Sequence, residues 1–83
     1  MVTPERLRDL EFVADLWLKG QERSEKEFND LIQLRDSARL TSANDVNVLN
    51  RRIVDADFAV REYKKAYTFA SSLVDRAKSG EDV

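Results

Sequence analysis

Side-chain catalysis needs a nucleophile, an acid-base pair or a metal ligand set at a workable spacing. The chain has no His and no Cys, so no Ser-His or Cys-His nucleophile and no Cys/His zinc site can form. Acidic residues remain as candidates for paired carboxylates or hard-cation ligands. Asp55 and Asp57 lie two apart, about 200° around a helix, and do not converge. Asp30 and Asp36 face different ways as well. Gly20 and Gly80 stand at expected helix ends, not in a phosphate-cradling loop. The reading is no enzyme, no cofactor, no metal and no small-molecule substrate.

The residues from Arg35 to Arg52 offer a second chemistry, nucleic-acid recognition. They read as a helix, a tight turn and a helix opening with Asn and Arg. Asn44, Asn47 and Arg51 share an outward face, with Arg52 beside them, and such side chains can read bases or hold phosphate. In outline this resembles a helix-turn-helix. Against it, the turn Gly common in that motif is missing and the second helix is far too long. Asp36, Asp45 and Asp55 would also repel phosphate. A small DNA-binding regulator is therefore the alternative reading, and nucleic acid the less favoured partner.

Composition sets the frame for these sites. The 83 residues carry 14 Lys+Arg against 16 Asp+Glu, a net charge of −2, which lacks the basic excess of a general nucleic-acid or anionic-membrane binder. No apolar run reaches membrane-spanning length, and Met1-Val2-Thr3-Pro4-Glu5 lacks the plan of a signal peptide. A chain without Cys suits a reducing compartment, so the expectation is a cytoplasmic protein without membrane contact. Two Gly and one Pro make it all-α.

The spacing predicts three helices in one domain covering 1–83: about 4–19, 25–40 and 43–79, with a frayed tail at 80–83. Thr3 is the N-cap of the first, with Pro4 at its first position, and Gly20 after Lys19 reads as its stop. Leu7, Leu10, Ala14, Trp17 and Leu18 share one face, while Phe12 and Leu16 point roughly the other way. Those two are either buried in a bundle or a contact surface for another chain. Ser24 and Glu27 form a capping box for the second helix, whose inner arc is Phe28, Leu31, Ile32, Leu34 and Ala38. Arg35 lies within that arc, its stem packing while its head snorkels or meets an Asp of the third helix. Ser42 caps the third helix, Asp45 completes the box, and Leu40 and Val46 can staple it.

The third helix carries the most regular pattern in the chain. Val46, Leu49, Ile53, Ala56, Val60, Tyr63, Tyr67, Ala70, Val74 and Ala77 recur in alternating steps of three and four, the seam of a helix that lies along another. At 1.5 Å per residue the first two helices would each span about 24 Å and the third about 55 Å. Two short antiparallel helices then leave its far half uncovered. A wet seam there would forfeit about 1.5–3 kcal/mol for each large side chain. The expectation is a homodimer or higher oligomer, coiled through the long C-terminal helix at Tyr63, Tyr67, Ala70, Val74 and Ala77. Opening the Gly20 connection, so that the first helix covers that half, is the intrachain alternative.

Function at this level reads as a small acidic protein-protein interaction module: an adaptor, inhibitor or assembly factor. Its candidate partner surface is Phe12, Leu16, Phe58, Phe69 and Leu73, the large apolar residues off the main seams.

Overall fold

Helix α1 (Pro4–Ser37) begins as its residues dictate. The Thr3 Oγ1 accepts a hydrogen bond from the Arg6 N–H at 3.2 Å, and the Leu7 N–H donates to the Thr3 carbonyl at 3.0 Å. The first bond satisfies one of the donors left open at a helix start, the second is the first intrahelical bond, and Pro4 lacks a donor to satisfy. The computed structural model describes residues 2–37 and 43–83. Within them the chain holds two helices, α1 and α2 (Ala43–Lys78).

The expected three-helix architecture is therefore corrected: residues 20–24 are not a connection but the middle of α1. Gly20 is buried, without positive φ. A Cβ there would stand 2.5 Å from Cε1 and 2.7 Å from Cδ1 of Tyr63, so the glycine is a place where a ring packs against bare backbone. Ser24 is not a cap either: it lies inside α1 and is buried, only 9% of its surface exposed. Leu7, Leu10, Ala14, Trp17, Gln21, Ser24, Phe28, Leu31 and Arg35 continue one three-four seam through the whole helix. Gly20, Gln21 and Ser24 interrupt its apolar character, which made a helix interior look like a break.

The consequence is a match of lengths. At 1.5 Å per residue α1 spans about 51 Å and α2 about 54 Å, and the molecule measures 61 × 14 × 14 Å, so the helices lie side by side. The uncovered half of α2, on which the long-helix dimer rested, does not exist: α1 runs along it. Near the termini Leu10, Ala14, Ala70 and Val74 form a buried cluster, with Leu7, Tyr67, Leu73, Ala77 and Val83 packed against it. Toward the other end Leu49, Ile53 and Ala56 are buried on α2, and Phe28, Leu31 and Ile32 half-buried on α1. Ala14, Gly20, Ser24, Ala56 and Ala70 keep the seam narrow.

At the C-terminus Gly80 takes φ 96°, a conformation that favours glycine. Its N–H donates to the Ala77 carbonyl at 3.2 Å, and that of Glu81 to Arg76 at 3.0 Å, the paired bonds of a Schellman end. The tail expected to fray at 80–83 is instead a bonded turn that brings Val83 back onto the core cluster, because the glycine lets the chain reverse. Arg35 pairs with its neighbour Asp36, at 3.4 Å, its side chain half-exposed. The expected contributions of Ala38, Leu40 and Ser42 lie outside the described residues.

Candidate protein-interaction surface

Two helices side by side leave two flanks, and here they differ in chemistry. On the first flank Glu11 reaches Lys78 across the groove at 3.9 Å. Asp15–Lys19 (2.9 Å) and Asp57–Arg61 (3.0 Å) run along the helices. Leu18, Tyr67 and Ser71 line the floor between. This is a polar, ion-paired side.

The second flank is apolar near the termini. Val13 and Trp17 of α1 and Ala66, Phe69 and Leu73 of α2 line a cleft of about 450 Å³, with Arg6 and Asp9 at its rim. Trp17 leans on Tyr63, ring centroids 5.9 Å apart and planes tilted 48°. Phe69 is 68% exposed and Leu16, one position from Trp17, 49%. Further along the same flank come charges: Arg23 and Glu27, then Arg52 and Asp55. Beyond them the seam spacing places Leu34 and Val48, both exposed. A larger hollow of about 850 Å³, among Arg61, Lys65 and Phe69, lies on the outer face of α2 alone. With walls from one helix it is a surface depression, whereas the cleft is built by two.

The residues singled out from the sequence are thereby sorted. Phe69 and Leu73 come together in the cleft; Leu16 is exposed next to Trp17, and Phe12, 63% exposed, stands one turn behind Leu16. Phe58 is apart from them, on the outer face of α2 one turn from Val54, both exposed. Tyr63, Tyr67, Ala70, Val74 and Ala77 lie in the seam, half-buried or buried beneath α1. Val13, Trp17 and Ala66 are the members of the cleft that sequence reasoning missed as site residues. Their signal is an apolar position beside each seam rather than in it. Trp17 obscured it by belonging to both.

Asn44, Asn47, Arg51 and Arg52 are all exposed. Arg52 shares a hollow with Glu27 and Asp55, which lowers the positive potential a phosphate would meet. The helices run alongside each other, whereas a helix-turn-helix crosses its pair at about 90–120°. Among the described residues no three His, Cys, Asp or Glu are grouped to hold a metal ion, and no helix is long and apolar enough to cross a membrane. Comparison with protein families, curated proteins and solved structures finds no match.

Proposed function

We propose that this chain is a protein-protein interaction module, an adaptor, inhibitor or assembly factor in kind, that grips a helical partner with its apolar flank. The observation that supports this reading is the cleft between Val13 and Trp17 on one helix and Phe69 and Leu73 on the other, with Leu16 exposed next to Trp17. A contiguous exposed apolar patch rimmed by charge is the usual mark of a protein contact. Trp and Phe in such a position supply much area at little entropic cost. The groove between two parallel ridges suits a third helix laid along it. A reducing, cytoplasmic setting fits a chain without Cys.

The test is photo-crosslinking in cells that naturally make the protein. A benzophenone amino acid at position 69 is expected to give discrete protein adducts, and the same probe at Asp75, on the polar flank, few or none. Equal yields from the two positions would overturn the proposal.

A further inference from the structure

The apolar flank also indicates what covers it. Resting on the interaction-module reading, we infer that its partner is a second copy of this chain, packed flank to flank as an antiparallel four-helix bundle. Three observations carry this.

The first is area. The chain exposes 6415 Å², about 1,300 Å² more than a compact monomer of its mass would. A standard interface takes about 800 Å² from each partner, so one such contact brings the chain close to an ordinary exposed area. A hairpin has no third layer, and among its described residues no side chain is less than 2% exposed.

The second is pattern. With the seam positions called a and d, Val13 and Leu34 on α1 and Ala59, Ala66 and Leu73 on α2 all fall at g. The e positions of α2 are all polar (Asn50, Asp57, Lys64, Ser71 and Lys78), while those of α1 hold Leu18 and Ile32 as well as Glu11 and Glu25, so the one-sided stripe is clearest on α2. Apolar residues at a, d and one flanking position are the stripe of a bundle helix, broader than that of a two-stranded seam.

The third is complementarity of register. Gly20 stands opposite Tyr63, which sets Leu16 level with Tyr67, Arg23 with Val60, Glu27 with Ala56 and Leu34 with Leu49. A two-fold axis parallel to the long axis lays α1 of one copy beside α2 of the other with these levels kept. Leu16 then meets Phe69 of the second copy, Arg23 meets Glu62, Glu27 and Asp30 meet Arg52, and Leu34 meets Val48. Apolar residues face apolar ones toward both ends; between them Arg23 and Arg52 each meet opposite charge, with Asp55 beside Arg52 adding a like charge opposite Glu27 and Asp30. This contact uses the flank of both helices and leaves the α2 seam where it is.

Sedimentation velocity of the full chain across the micromolar range is expected to give twice the 9.6 kDa monomer mass. Phe69→Glu and Leu16→Glu should each raise the dimer Kd at least about tenfold. Phe58→Glu, off the flank, should leave it unchanged, and circular dichroism checks that each variant keeps its helices. Since the chain has no Cys, Arg8→Cys gives a single spin-label site. The parallel axis puts the two labels at one end, within about 40 Å, whereas a head-to-tail dimer separates them by about 50 Å or more along the axis. A monomeric wild type, a dimer indifferent to both flank variants, or labels at the longer distance overturns the inference. A monomer that still crosslinks from position 69 to a different protein sinks the second copy alone and leaves the interaction module standing.

Discussion

The ring of Tyr63 occupies the space in which a side chain at Gly20 would begin, with Cε1 and Cδ1 2.5 and 2.7 Å from a Cβ placed there. Glycine inside a helix costs about 1 kcal/mol relative to Ala, so this position gives up helix propensity for close packing. Gly20→Ala recovers the propensity but forces the Tyr63 ring out of its place against α1. Overpacking of this kind typically costs about 1–3 kcal/mol, so we expect a net loss and a Tm several degrees lower. In a Tyr63→Ala background the same change should stabilise. A Gly20→Ala protein that melts higher than wild type would mean that the ring does not sit there.

Continuity of α1 through residues 20–24 is open to a sharper test. Pro at position 22 suits a connection between two helices but not a helix interior, where it removes a hydrogen bond and clashes with the preceding turn. Glu22 is exposed, so nothing else is lost with its side chain. Glu22→Pro should cost about 3 kcal/mol or more, read in urea denaturation as a lower midpoint. Unchanged stability would restore the break at Gly20.

That break marks how far the sequence can be read. The Thr3 cap, the Gly80 end and the three-four seam of α2 are local signals, and each appears in the structure at the residues expected. The error at 20–24 arose because Gly20 and Ser24 have two physical uses. A Gly followed by a Ser-x-x-Glu box ends one helix and starts the next when the chain is considered alone. The same small residues line a helix interior when a Tyr from elsewhere lies over them. Only the tertiary neighbour decides, and Tyr63 is 43 positions away. The candidate surface was legible in part for the same reason. Leu16, Phe69 and Leu73 could be named as lying off the seams, but the union of Phe69 and Leu73 with Val13 and Trp17 depends on the antiparallel register that Gly20 sets.

The core cluster near the termini is thin, since two helices shield each seam residue from one side only. Leu10 is nevertheless buried among Ala14, Ala70 and Val74. Leu10→Ala should cost about 2–3 kcal/mol, the lower part of the range for buried Leu, because solvent and neighbours can fill the gap. Chemical denaturation measures this directly. A loss below about 1 kcal/mol would show that the seam near the termini contributes little to folding.

The side-by-side helices bear on nucleic acid too. Asn44, Asn47, Arg51 and Arg52 are exposed, yet no second helix crosses behind them to set their helix into a groove. Glu27 and Asp55 share the Arg52 hollow. A salt-titrated gel shift should therefore find no retained complex at low salt, and Arg51→Ala with Arg52→Ala should change nothing. A complex whose affinity falls steeply with salt and weakens in the double variant would instead establish phosphate contacts.

The C-terminal turn closes the hairpin's open end, and its geometry rests on one residue. Gly80 at φ 96° aims Glu81 at the Arg76 side chain, Oε2 to Nε 2.9 Å, and Val83 at the core cluster. Nothing lies within 4 Å of a Cβ built at Gly80, so Gly80→Ala meets no clash and any penalty is conformational. An L-residue in that region costs about 1–2 kcal/mol, and the turn can avoid this cost only by opening, which releases Val83. Arg76 and Glu81 are both half-exposed, so their ion pair holds the turn weakly in water. Gly80→Ala should therefore lower stability by about 1 kcal/mol and raise amide exchange at Glu81, while Gly80→Asn, which tolerates positive φ better, should lose less. Equal losses in the two variants would place the effect elsewhere than in the backbone of residue 80.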